Sequence, residues 1–339
     1  MKINILTPQF CNEIGQRVNN EDTIYPAPYM ATASNRLFLV CDGMGGHENG
    51  EVASQTVAQS LSDYWQLYDH EPDGWDKLKK ALSYTEQKLN EKVIDGQENR
   101  MGTTLTLVSI NDSSILVAHI GDSRIYQIRP NKGIVFCTKD HSLVQTWVDA
   151  GILTSEEAKS HPKKNIITKA IQCGRIEISE SDVEFLPKIE DGDYLFMCTD
   201  GVIESIEDSV LVEILSLPVG DDEKMNKIRD LCQLNSKDNY SAYLIPLLVE
   251  GGEPPLEDVI KGDVISSLSS QDRRDLLEKE VDQKTEKILS TLTEETEGSI
   301  VEEDPNSIII KEITTIKETL KIKIDSVWYE FIKFFKKNK

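Results

Sequence analysis

Short apolar runs punctuate the first 250 residues: Leu37 to Cys41, Leu105 to Ile110, Ile115 to Ile120, Tyr194 to Cys198 and Tyr243 to Val249. Each is rich in β-branched and aromatic residues and ends at polar or turn-forming positions, which predicts strands. Between the first and second runs the apolar spacing changes to that of helices. One stretch covers Glu51 to Tyr68, with Val52, Val57, Leu61, Tyr64, Trp65 and Tyr68 on one side; another covers Trp75 to Val93, with Leu78, Leu82 and Leu89. A shorter helical pair is expected at Leu143 to Ala150 and Ser155 to Ser160. Many strands with helices in groups predict an α+β architecture.

The texture changes at Gly251-Gly252-Glu253-Pro254-Pro255, where glycine and proline mark a boundary. Residues 1–250 are therefore expected to form one domain. Residues 251–310 carry acid clusters such as Glu302-Glu303-Asp304 and few aromatics, and read as an acidic linker with local helix around Asp272 to Leu292. Residues 311–339 mix Ile322, Ile324, Trp328, Phe331 and Phe335 with lysines, the pattern of a basic, apolar amphipathic segment. Contact with a membrane surface or a partner protein, packing on the domain itself, and disorder all remain open for it.

The chain of 339 residues has a net charge of −22, which disfavours nucleic acid as a partner. Its six cysteines form no Cys-x-x-Cys pair and several sit in apolar runs, the pattern of reduced, buried thiols. Nothing approaches the roughly 20 apolar residues of a membrane span, and the start, Met1-Lys2-Ile3-Asn4-Ile5-Leu6, has no leader-like apolar core. A cytoplasmic location is the expectation, with peripheral membrane contact through the last segment one of the alternatives left open.

The chemical signal is a set of carboxylates at the ends of the apolar runs. Asp42 follows Leu37 to Cys41, Asp122 follows Ile115 to Gly121, Asp200 follows Tyr194 to Thr199, and Asp238 precedes the run that ends at Val249. Asp-Gly alone is often a turn, and Asp95-Gly96 and Asp191-Gly192 read that way. Asp42-Gly43 and Asp200-Gly201 differ because a buried-looking strand delivers each. Carboxylates gathered at one edge repel unless cations neutralise them. Hard oxygen donors favour Mg²⁺ or Mn²⁺ over zinc.

Seven motifs occur in one order: Arg17-Val18-Asn19-Asn20-Glu21-Asp22, Asp42-Gly43-Met44-Gly45-Gly46-His47, Met101-Gly102-Thr103-Thr104, Gly121-Asp122-Ser123-Arg124, Thr138-Lys139-Asp140-His141-Ser142, Cys198-Thr199-Asp200-Gly201 and Asp238-Asn239. Together they resemble the bacterial type of protein phosphatase 2C over roughly residues 9–250. The resemblance implies two packed antiparallel β-sheets flanked by helices, with a flap subdomain at about 143–171. It implies a protein serine/threonine phosphatase using two core Mn²⁺ or Mg²⁺ ions and a third, weaker one. Asp42 would bridge the core ions, Asp200 and Asp238 would hold one, and Glu21 with the Gly43 carbonyl would complete the other. Asp122 would take the third ion and Arg17 the substrate phosphate. Water activated between two ions then attacks phosphorus directly. Phosphorylated proteins are the implied substrates, a Ser/Thr kinase the implied counterpart, and the core a monomer.

Some positions depart from the family or read more plainly. Eukaryotic members have a histidine two residues after the bridging aspartate; here Met44 stands there, and His47 is not an aligned replacement. Gln172 replaces a glycine and, with Cys173-Gly174, implies an altered loop. Asp22 reads as a group that orients its neighbours, Asp140-His141 as a helix-capping loop, and Ser123 and Arg124 as support for the turn at Asp122. Two rival functions are a catalytically silent binding protein of the same fold and a phosphohydrolase of small esters. The complete set Glu21, Asp42, Asp200 and Asp238 argues against the first.

Overall fold

A computed structural model describes residues 2–45, 49–92, 101–130, 132–174 and 179–250. The expected linker at 251–310, the segment at 311–339, the Asp95-Gly96 turn and His47 lie outside the described residues.

Two antiparallel sheets make the centre. In the first, β1 (Lys2–Ile5), β13 (Tyr240–Glu250), β12 (Tyr194–Cys198), β8 (Arg124–Arg129) and β9 (Gly133–Cys137) lie in that order, with β2 (Gln9–Glu13) also on β13. In the second the order is β10 (Ile171–Gln172), β5 (Gly102–Thr103), β4 (Leu37–Met44), β6 (Leu105–Ile110), β7 (Ile115–Ile120) and β11 (Asp182–Phe185), with β3 (Asp22–Tyr25) also on β4.

The continuous apolar runs are explained by burial on both faces. Successive side chains of a strand point to opposite faces. On β4, Phe38 and Val40 enter a cluster with Val108, Val117, Leu195, Met197 and Tyr243, drawn from both sheets. The alternate residues Leu37, Leu39 and Cys41 join Leu61, Trp65, Leu78 and Leu82 instead. Those come from α1 (Asn49–Leu67) and α2 (Trp75–Asn90), which cover the second sheet. β12 repeats the arrangement: Leu195 and Met197 face the other sheet, while Tyr194, Phe196 and Cys198 meet Leu211, Ile214, Met225 and Ile228. The latter belong to α6 (Asp208–Leu215) and α7 (Asp221–Asn235). The layers are helix, sheet, sheet, helix, as the resemblance implied.

Expected strands and helices match closely, with shifts at the ends. The first run continues to Met44, because Gly43 and Met44 pair with Thr103 and Gly102 of β5. The last begins at Tyr240 rather than Tyr243, because Tyr240 to Ala242 pair with Glu13 to Cys11 of β2. α3 (Leu143–Asp149) and α4 (Ser155–Ser160) form the short pair. α3 is capped by Ser142, which accepts from the Gln145 N–H; Asp140 does not cap, because Arg124 holds it in two bonds of 2.6 and 2.8 Å. Asp191-Gly192 is a turn, as expected, with Gly192 at φ +79. All six cysteines are free thiols and five are buried. No helix among the described residues is long and apolar enough to cross a membrane.

Phe38 is fully buried between the sheets, with its ring 5.3 Å from that of Tyr243. Phe38→Ala is expected to lower unfolding stability by about 3–5 kcal/mol, read as a reduced urea midpoint at unchanged slope.

Candidate active site

The site lies where ends of both sheets meet. β4 carries Asp42 to its last turn, and its main chain is held on three sides. The Asp42 carbonyl accepts from the Thr104 N–H (2.9 Å) and Thr103 Oγ1 (2.8 Å), and the Asp42 N–H donates to Thr104 Oγ1 (3.0 Å). Thr103 and Thr104 were part of a sequence motif without an assigned role; their task is to fix this backbone.

Glu21 and Asp22 lead into β3, and Asp22 pairs directly opposite Asp42 in the register. Asp22 is buried and accepts from Thr199 Oγ1 at 2.9 Å, which agrees with an orienting role. The Glu21 carbonyl accepts from the Gly43 N–H (3.1 Å) and from Ser54 Oγ (2.6 Å). A side chain at Gly43 has no room: a Cβ there would sit 2.1 Å from the Gly50 carbonyl oxygen and 2.5 Å from that of Glu21. This close approach seats Glu21 beside Gly43.

From the other sheet, β12 ends at Cys198 and Asp200 opens the single turn α5 (Asp200–Ile203). Asp238 sits just ahead of β13, and its Oδ1 accepts from the Asn239 N–H at 2.8 Å. Asn239 is buried and fastens three segments. Its Nδ2 donates to the carbonyls of Ile14 (2.8 Å) and Asn19 (2.9 Å), and its Oδ1 accepts from the Glu21 N–H (2.9 Å). The sequence motif contained Asn239 without showing this; the only signal was a polar residue at the mouth of an apolar strand.

Electrostatics unite the predicted residues. Burial, then repulsion from Asp200, Asp22, Asp122 and Asp238, holds the Asp42 carboxyl well above the ordinary range. Burial also pushes Asp22 and Asp122 up to about 7 and Asp200 up to about 6, with Asp238 its largest charged contributor. Arg17 is an exposed residue whose Nη2 donates to Asp238 Oδ2 at 2.5 Å. That bond, with the fields of Asp238, Glu21 and Asp200, holds the guanidinium above its usual value. Arg17 is therefore at the cluster and paired with one of its carboxylates.

The donor set fits divalent cations. All the carboxylates are hard oxygen donors, and burial, then the neighbouring carboxylates, raises Asp22, Asp42, Asp122 and Asp200. Asp200 Oδ1 is buried and has no hydrogen-bond partner, although buried carboxylate oxygens normally have one.

The sequence profile described as protein phosphatase 2C matches residues 13–239. Protein phosphatase PhpP of Streptococcus pneumoniae is 34% identical over 260 residues, 75% of this chain and 100% of PhpP. The serine/threonine phosphatase PstP/Ppp of Mycobacterium tuberculosis has a crystal structure that superposes with a TM-score of 0.60 at 31% identity, covering 71% of this chain and 98% of that one. The catalytic domain of PstP solved with two manganese ions also gives a TM-score of 0.60, at 30% identity, covering 73% of this chain and 100% of that one.

The raised carboxylates set a pH dependence in chelator. The folded state binds more protons than the unfolded chain between the ordinary aspartate value of 3.8 and about 7. Stability therefore falls as pH rises through that window. The melting temperature of chelated protein is expected to drop by several degrees from about pH 5 to about pH 8. Adding Mn²⁺ is expected to reverse the drop most strongly at the higher pH, read by differential scanning fluorimetry.

Proposed function

The chain belongs to the protein phosphatase 2C family and is a metal-dependent protein serine/threonine phosphatase; we propose that Asp42, Glu21, Asp200, Asp238 and the Gly43 carbonyl hold its two core ions. The observation that carries the assignment is the delivery of Asp42 by β4 of one sheet and of Asp200 and Asp238 by the ends of β12 and β13 of the other, with Asp200 Oδ1 buried and without a hydrogen-bond partner. Asp122, in the same field, takes a third ion.

When bound, the ions supply Lewis-acid activation of a water and neutralise charge on the phosphoryl group. The chain's own residues do the rest. Thr103, Thr104 and Asn239 fix the carbonyls and amides that aim Asp42 and Glu21, so the donors need little reorganisation. Arg17 extends from the exposed loop beside Asp238 and offers planar donors to a phosphate. No cysteine or serine nucleophile is needed, and Cys41, next to Asp42, is unsuited to be one because burial pushes its thiol far above its ordinary value.

Substrates are phosphorylated proteins. We further read a cognate Ser/Thr kinase as the enzyme whose product is reversed, residues 143–171 as a flap over the site, and residues 311–339 as a basic, apolar contact with a membrane surface or protein. The complete acidic set weakens the reading as a silent binding protein, and substrate choice separates the small-ester reading.

Three outcomes test this function. Mn²⁺-dependent hydrolysis of a phosphothreonine peptide is expected to vanish in chelator and to fall about a thousandfold in kcat/KM for Asp42→Ala, equivalent to about 4 kcal/mol of transition-state stabilisation. Unchanged turnover in either case would sink the assignment. Arg17→Ala is expected to raise KM about tenfold with a smaller loss in kcat. In liposome flotation, full-length protein is expected to rise with anionic vesicles, whereas a chain ending at Gly252 is not; equal behaviour removes membrane contact.

A further inference from the structure

Beside the acidic cluster, His119, His141 and Asp182 each bring one ligand-type atom within 4.8 Å of the others. A metal ion does not suit this group. The two rings stack with centroids 4.5 Å apart and planes 7° from parallel. Imidazole lone pairs lie in the ring plane, so they do not converge on one point. Hydrogen bonds also fix the protons. His119 Nε2 donates to the Lys139 carbonyl at 2.7 Å. The Gly121 N–H donates to His141 Nδ1 at 3.1 Å, so Nδ1 carries no proton. The neutral ring keeps its proton on Nε2, which faces Asp182 Oδ1 at 3.2 Å.

The arrangement serves another end. The His141 main-chain N–H donates to the Gly121 carbonyl at 2.8 Å. Residue 141 thus grips both sides of Gly121, the residue before Asp122. Gly121 needs this support: its φ is +107, and a Cβ would sit 2.6 Å from Thr104 Cγ2. On the far side of the turn, Ser123 and Thr104 share a hydroxyl bond of 2.7 Å, and Thr104 Oγ1 also accepts from the Asp42 N–H. The His141 carbonyl in turn accepts from the Thr168 N–H at 2.7 Å. Its side chain is 9% exposed.

We propose that His141 is a positioning residue for the ion held at Asp122: its ring holds the Gly121 N–H and its main-chain N–H holds the carbonyl of the Gly121–Asp122 peptide, while the ring is stacked on His119 with Asp182 beside it. The proposal rests on the reading of Asp122 as a ligand. It replaces the helix-capping role expected for Asp140-His141, which Ser142 fills instead.

Mn²⁺ titration of the full-length protein, with free Mn²⁺ followed by electron paramagnetic resonance, tests it without turnover. His141→Phe keeps the stack and loses both nitrogens. His141→Asn sets an amide oxygen near the Nδ1 position and keeps an acceptor for the Gly121 N–H. The weakest class of Mn²⁺ sites is expected to weaken about tenfold in His141→Phe and to stay near wild type in His141→Asn. Tighter classes are expected to be unchanged in both. Asp122→Asn is expected to remove the weakest class. If it does while His141→Phe binds as wild type, the proposal alone fails. If Asp122→Asn leaves the weakest class intact, the reading of Asp122 fails and the proposal with it. Equal weakening of every class, or no rescue by asparagine, reduces His141 to packing and overturns the proposal. Should His141→Phe not fold, Asp182→Ala, at an exposed position, carries the test: a weaker last class supports it and wild-type affinity overturns it.

Discussion

The gathering of Asp42, Asp122 and Asp200 is the constraint on which the architecture turns, because burial first and neighbouring carboxylates next make each of these three costly to ionise. Such a cluster persists only where the backbone is held more firmly than the charges push. The two sheets supply that hold. Each aspartate stands at or next to the end of a strand whose interior is buried, so moving one outward would drag apolar side chains with it. The charges are anchored by cores that contain none of them.

Neutral hydrogen bonds complete the restraint. Thr103 and Thr104 bind the Asp42 main chain, and Asn239 ties the segments bearing Asn19, Glu21 and Asp238. These groups add no charge, so they fix geometry without compensating the anions. Among the described residues, Arg17 pairs with Asp238 at an exposed position, and Arg124 offsets part of the charge on Asp122.

Much of this was legible in the sequence, and for a physical reason. Strands buried on both faces read as unbroken apolar runs, so β6, β7 and β12 stood out to the residue. β9 does carry an apolar run, Ile134 to Cys137, yet lies at a sheet edge and is only partly buried; β11 is largely exposed and carries no such run, and β5 and β10 have two residues each, too short for any periodicity. α7 was hidden by its polar composition, with Met225, Ile228 and Cys232 its buried apolar contacts. The acidic residues were visible because each follows or precedes a core strand. Thr104, Asn239 and His141 were quoted in motifs, yet their work is done through backbone atoms of distant residues, which spacing does not reveal. Asp140 and His141 showed the limit most clearly: adjacent in sequence, they serve Arg124 and Gly121 respectively.

The two-sided burial of β4 has a consequence for how such a chain can change over evolution. Substitutions among Leu37, Phe38, Leu39 and Val40 exchange volume within one core or the other and leave Asp42 where it is. A single inserted or deleted residue between Leu37 and Asp42 does something else: it exchanges the helix-facing and sheet-facing sets and turns the carboxylate to the opposite side. The segment therefore behaves as a ruler whose length is under tighter control than its lettering, and drift in this family is expected to be recorded in the loops between strands rather than in the strands that reach the metal.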